Sequence, residues 1–131
     1  MKVKLTSLFV TDQAKALDFY TKTLGFVKKQ DITAGNYRWL TLVSPEEPEG
    51  TQVVLEPNQN PAAKTYQESI FKQGVPLTMF FVDNLQGEYQ RLQRLGVKFT
   101  MPPTKTPGST IARFDDTVGN LIQLTQLTNP S

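Results

Sequence analysis

Histidine and cysteine are both absent from this 131-residue chain. Without cysteine there are no disulfides, no thiolate metal sites and no cysteine nucleophile, which is compatible with a reducing cytoplasm. Without histidine the commonest general base and the commonest transition-metal ligand are both missing. Any site chemistry must come from carboxylates, amides, hydroxyls, Lys, Arg or Tyr. Apolar runs of membrane-spanning length are lacking, and Met1-Lys2-Val3-Lys4-Leu5 has no apolar signal core. Charge of either sign is in short supply: 14 Lys and Arg stand against 12 Asp and Glu, for a net charge of +2. The cations are scattered, which argues against a nucleic-acid groove or a membrane-surface patch. Phosphate-binding glycine loops, nucleophile elbows and nucleotide fingerprints are missing as well. A cytoplasmic protein that touches neither nucleic acid nor membrane is expected.

What the chain does have is a repeat. Leu5-Thr6-Ser7-Leu8-Phe9-Val10-Thr11-Asp12 returns as Leu77-Thr78-Met79-Phe80-Phe81-Val82-Asp83-Asn84, with Leu5/Leu77, Thr6/Thr78, Phe9/Phe81 and Val10/Val82 identical. Each copy is a strand-like run ending in a helix-starting polar residue. An amphipathic segment follows each and closes at Leu24-Gly25 or Leu95-Gly96. Two copies do not make a solenoid; they predict one domain, 1–131, of two similar halves.

In chain order, Val3 to Val10 reads as a strand covered on both faces, with Leu5, Ser7 and Phe9 on one face. Thr11 or Asp12 is placed to cap a helix carrying Ala16, Leu17, Tyr20 and Leu24, and Gly25 to end it. Phe26–Ile32, Asn36–Val43 and Gln52–Glu56 follow as strands. The glutamates of Ser44-Pro45-Glu46-Glu47-Pro48-Glu49-Gly50 read as solvated loop charge. Module one is thus 1–57, and a linker of 58–74 holds a short helix over Thr65–Gln73. Module two, 75–127, opens with a strand over Leu77–Val82. A helix over Leu85–Leu95 turns Tyr89, Leu92 and Leu95 inward. Val97–Met101 is a strand, Pro102–Gly108 a loop, and Ile111–Phe114 and Asn120–Leu127 are strands. The Gly119-Asn120 pair between the last two suits a tight hairpin, and Asp116 reads as a turn former. The order is strand, helix, three strands, twice over.

That doubled βαβββ order, with Phe19-Tyr20 before Leu24-Gly25-Phe26 and a closing Asp116-Thr117-Val118-Gly119-Asn120, resembles the vicinal oxygen chelate superfamily. This group contains glyoxalases, bleomycin-resistance proteins and extradiol dioxygenases. Asn36-Tyr37-Arg38-Trp39-Leu40-Thr41-Leu42-Val43-Ser44-Pro45 is similar to a branch of small glyoxalase-like proteins. The resemblance implies an α+β fold in which two modules roll a mixed sheet into a cup, with helices outside. It also implies a homodimer and, in catalytic members, metal ligands on the first and fourth strands of each module.

Carried over by position, those ligands fall on Leu5, Glu56, Leu77 and Gln123. Two leucines, one carboxylate and one amide offer too few donors to replace a cation's hydration shell. No family-type metal and no cofactor is therefore expected; a weakly held divalent ion at Glu56 and Gln123 stays open. If Leu5 and Leu77 face the cup, Ser7, Phe9, Met79 and Phe81 join them by alternation, and Gln52, Val54 and Leu121 come from the closing strands. Trp39 or Arg38 could stand at the rim. These apolar residues read either as plain core or as the wall of a small-molecule pocket with a few polar anchors. The function expected is binding of a small hydrophobic or aromatic molecule. The alternative is a glyoxalase- or dioxygenase-type enzyme, a lyase or isomerase, with Glu56 as base or weak metal ligand; burial among the leucines would suit Glu56 to that role.

Overall fold

A computed structural model describes residues 1–128, and Asn129 to Ser131, the end of the expected 1–131 domain, lie outside the described residues. Strand, helix and three strands occur twice, in two units running Met1–Thr65 and from Tyr66 onward. The first unit holds β1 (Leu5–Val10), α1 (Gln13–Asp18) continued by a π-helical turn (Phe19–Thr23), β2 (Val27–Ala34), β3 (Tyr37–Val43) and β4 (Gln52–Pro57). A helix, α2 (Pro61–Lys72), then leads to β5 (Thr78–Phe81), α3 (Leu85–Arg94), β6 (Phe99–Thr106), β7 (Ser109–Asp115) and β8 (Leu121–Leu127). Each unit has a four-stranded sheet, ordered β1-β4-β3-β2 and β5-β8-β7-β6. In both, the opening strand runs parallel to the closing one and the other pairs are antiparallel. The fold is α+β. Among the described residues no helix is long and apolar enough to cross a membrane.

Local chemistry explains the elements. Asp12 caps α1 by accepting from the Lys15 amide at 3.0 Å, and Asn84 does the same for α3 with Gly87 at 3.1 Å. Gly25 closes the first helical segment at φ +94°, which a residue with a Cβ adopts only under strain. Each sheet buries the face that its helix covers. In the first unit Leu8, Val10, Leu40, Leu42 and Leu55 are sealed with Ala16 and Tyr20. In the second Leu85, Leu92, Ala112, Phe114 and Ile122 are sealed, and Phe99 stacks edge-on between Tyr89 and Phe114 at 4.6 and 5.6 Å. Each large side chain so buried contributes about 1.5–3 kcal/mol.

Gln13 shows how the helix and sheet of the first unit are tied. The β3–β4 ladder is only two rungs long, Thr41–Val54 and Leu42–Val53. Past its end, the Gln13 amide donates to the Arg38 carbonyl at 3.0 Å and the Leu55 carbonyl at 2.8 Å. One side chain satisfies two backbone acceptors that the sheet leaves without partners.

Five local expectations need correction. The short helix starts at Pro61, not Thr65: Asn60 accepts from the Ala62 amide at 2.9 Å, and Pro61 occupies the first turn, where its missing N–H costs nothing. The stretch from Pro102 to Thr106 is strand, not loop. It belongs to β6 at the sheet edge, where prolines are tolerated, and the register slips between Met101 and Thr104. Pro107-Gly108 then makes the turn, with Gly108 at φ +82°. Leu95 ends α3 and is 55% exposed, while Leu85 takes the inward place. The β7–β8 connection is no two-residue hairpin at Gly119-Asn120. Asp116 is fully buried there and accepts from Val118 N, Asn120 N and Asn120 Nδ2 at 2.9, 2.9 and 2.8 Å. Finally, β1 is covered on one face only: Leu8 and Val10 are buried, whereas Leu5 and Ser7 on the other face are exposed.

Candidate functional site

The ladders sort the expected site residues by face. Leu5 pairs with Gln52, Ser7 with Val54 and Phe9 with Glu56. Thr41 pairs with Val54 and with Gln30, and Trp39 with Ile32. Paired residues share a face, so Leu5, Ser7, Phe9, Trp39, Gln52, Val54 and Glu56 stand together on the side of the first sheet away from α1. Arg38 does not. It lies on the opposite face with Leu40 and Leu42, forked onto Asp31 by two bonds of 2.9 Å. Arg38 is thus removed from the group, and Trp39 alone of the two rim candidates belongs to it.

On the second sheet Met79 pairs with Gln123 and Phe81 with Thr125, while the Leu77 amide donates to the Leu121 carbonyl. Leu77, Met79, Phe81, Leu121 and Gln123 accordingly share the face away from α3. Leu5, Met79 and Phe81 are 45%, 46% and 59% exposed, too open for core side chains. Val54, Leu121 and Gln123 are buried and floor the two faces.

Polar groups on the first open face form a chain. The Trp39 indole N–H donates to Gln30 Oε1 at 3.0 Å, and Gln30 Nε2 donates to Gln52 Oε1 at 2.8 Å. The Thr41 hydroxyl donates to the same Gln52 oxygen at 2.6 Å and accepts from the Gln30 amide at 3.1 Å. Further along β4, Glu56 accepts from the Ser7 hydroxyl at 3.4 Å. Glu56 is half-buried instead of sealed among leucines.

On the second open face Arg113 Nε donates to Gln123 Oε1 at 3.1 Å, Gln123 Nε2 donates to Thr125 Oγ1 at 3.2 Å, and that hydroxyl lies 3.8 Å from the Met79 sulfur. Arg113 also reaches the Gly74 carbonyl at 3.5 Å and borders a cleft of about 290 Å³ with Phe71, Lys72, Met101 and Leu121. A wider cleft of about 560 Å³ lies against Phe81, Val82, Asp83, Gln126 and Leu127.

The residues at the family's metal positions do not fit an ion. Leu5 and Leu77 supply no donor. Leu5 lies opposite Gln52 and Glu56 opposite Phe9, so they stand four rungs apart, roughly 13 Å along the strand. The Gln123 carbonyl, the donor an ion would need, already accepts from the Arg113 guanidinium, and a fixed cation there repels another. Among the described residues no group of three or more His, Cys, Asp or Glu is placed to hold a metal.

Gln30, Thr41, Arg113 and Thr125 belong to these faces and are not among the expected site residues. Thr41 and Arg113 were within reach, two residues on from Trp39 and from Ile111. Gln30 lies two residues before Ile32 on the regular part of the β2–β3 ladder, and only a count from the start of β2, across the slip between Lys28 and Gln30, puts it on the wrong face.

The sequence model of the Glyoxalase/Bleomycin resistance protein/Dioxygenase superfamily matches residues 2–124. The chain is 57% identical over 126 residues to the uncharacterised protein YurT of Bacillus subtilis (strain 168), covering 96% of this chain and 99% of that one. Its fold is similar to that of UcmS2, at 33% identity and TM-score 0.82, covering 95% of this chain and 97% of the other. It is also similar to TnmS3, described as an antibiotic binding protein from Streptomyces sp. CB03234, at 29% identity and TM-score 0.74, covering 98% and 97%.

Proposed function

Because the chain belongs to the Glyoxalase/Bleomycin resistance protein/Dioxygenase superfamily, we propose that it binds a small hydrophobic or aromatic molecule on its open sheet faces, without a family-type metal, as a cytoplasmic homodimer. One observation carries the reading: large apolar side chains, Leu5, Met79 and Phe81, stay exposed beside hydrogen-bonded polar side chains on faces that the helices leave uncovered. Apolar area with a few oriented polar groups is the usual make-up of a small-molecule site. Similarity to TnmS3, an antibiotic binding protein, supports the same class of ligand. The exposed apolar residues also support a second copy as partner, since covering such area favours association.

The reading as a lyase, isomerase or dioxygenase has weaker support. Glu56 is the one carboxylate on the open faces at a family position, and it is half-buried, with the Ser7 hydroxyl as its hydrogen-bond partner.

Thermal denaturation in the presence of planar hydrophobic antibiotics and aromatic metabolites tests the proposal. A ligand of this site raises Tm progressively with its concentration, and the rise disappears in Phe81→Ser or Leu5→Asp. A panel that leaves Tm unchanged throughout would sink the reading. Light scattering at micromolar protein checks the dimer.

A further inference from the structure

We propose that Gln52 is a hydrogen-bond donor that selects ligands bearing a carbonyl-type acceptor oxygen, and that Trp39, Gln30 and Thr41 are positioning residues that hold its amide in that orientation. The proposal rests on the small-molecule reading above and adds the polarity of the ligand group that meets this part of the face.

The orientation follows from the chemistry of the chain. An indole nitrogen can only donate. Trp39 Nε1 lies 3.0 Å from the end of Gln30, so the atom facing it is the Gln30 oxygen. The other arm of that amide is then NH2, and it meets Gln52 at 2.8 Å, which makes the facing Gln52 atom an oxygen. Thr41 fits the same direction. Its hydroxyl oxygen accepts from the Gln30 backbone N–H at 3.1 Å and keeps its own proton for Gln52 Oε1 at 2.6 Å. That oxygen receives two donors, its full complement. Reversing Gln52 would set its NH2 against the Gln30 NH2.

What remains is the Gln52 NH2. No side chain or backbone oxygen among the described residues accepts from it, and no buried side-chain polar atom lacks a partner, so this nitrogen reaches the surface of the open face. It stands there opposite Leu5 on the ladder. A donor with an apolar neighbour, already fixed in direction, costs a ligand carbonyl little reorganisation. It rewards an acceptor and leaves a ligand donor or hydrocarbon with an unmet N–H.

The test uses matched probes, 1-indanone and indane, which differ in one carbonyl. Binding is followed by NMR on protein labelled at glutamine side-chain nitrogen. The expected result is that indanone binds roughly fivefold tighter than indane, the worth of one neutral hydrogen bond, and shifts the Gln52 NH2 signals. In Gln52→Glu, which keeps the shape and both bonds received but sets a carboxylate oxygen where the donor stood, the preference for indanone is lost or reversed. Trp39→Phe also erodes the indanone-to-indane ratio by freeing the amides to turn. Gln30→Glu does the same with the indole retained, should the tryptophan variant fail to fold. The ratio of the two affinities is the readout, because a merely structural role would weaken both probes alike and leave it unmoved. Equal affinities for the two probes, or a preference that survives Gln52→Glu, overturn the donor assignment and leave the small-molecule reading standing. Absence of binding by both probes at millimolar concentration overturns the two together.

Discussion

Asp31 and Arg38 show what a single misplaced residue does to a functional reading. By sequence Arg38 is a candidate for the rim of the site, yet its guanidinium is spent within its own hairpin. Its two hydrogen bonds hold the Asp31 carboxyl down from an ordinary 3.8 to about 2, with burial opposing and Lys28 adding to the fall. A depressed carboxyl contributes stability that is fully present above its unfolded value and is lost as pH falls through the folded one. The pair should therefore weaken between about pH 4 and pH 2 and hold at neutral pH. Carbon-13 titration should place the Asp31 midpoint near 2 and return it toward 3.8 in Arg38→Gln; an unchanged midpoint would show that the fork is not formed. Thr117 offers a second prediction. It is the one non-glycine residue with positive φ among those described, at 67°, and a β-branched side chain tolerates that region poorly. Thr117→Asn should raise stability by about 0.5–1 kcal/mol, read from urea midpoints at constant slope.

Elements were legible where one local signal sufficed. Asp12 and Asn84 announce helix starts, Gly25 an end, and alternation in β1, β3 and β4 separates open from covered faces. Misreadings came where two signals competed. Asn60-Pro61 reads as linker if proline is counted only as a breaker, although before a helical run it is a start signal. Pro102-Pro103 reads as loop because prolines spoil a central strand, although β6 lies at the edge. Ties between elements leave no local signal at all, and Gln13 is the clearest case. Its amide serves two carbonyls where the β3–β4 ladder stops. Gln13→Ala leaves both acceptors poorly solvated and should cost about 2 kcal/mol in chemical denaturation. Faster hydrogen exchange should follow in β3 and β4, with β6 to β8 unaffected. Exchange that quickens equally in both sheets would argue that Gln13 supports the whole chain instead of this one junction.

At the scale of the whole molecule, the doubled pattern and the family were readable early, because a repeated strand motif and its spacing survive without knowledge of register. The site was readable only in part. Alternation collects Leu5, Ser7, Phe9 and their fellows, but the Trp39–Gln30–Gln52 chain spans three strands and depends on their register, which no spacing within one strand predicts. Register also reshapes the metal question. Glu56 stands opposite Phe9 and Gln123 opposite Met79, so the two polar residues at family metal positions are not equivalents in the repeat; the counterpart of Glu56 is Thr125. With two leucines, displaced donors and Arg113 bonded to the Gln123 oxygen, an ion would gain too little to shed its water. Protein purified without chelator should carry no stoichiometric metal by elemental analysis. Addition of Mg²⁺, Mn²⁺, Zn²⁺ or Ca²⁺ after EDTA should leave Tm unmoved. A specific ion at a hundredfold excess over its Kd would add about 2.7 kcal/mol, several degrees in a chain of this size, so the experiment has room to fail. A reproducible rise for one cation, lost in Glu56→Gln, would mean that the carboxylate recruits donors from water or a second chain and would return the enzyme reading to the front.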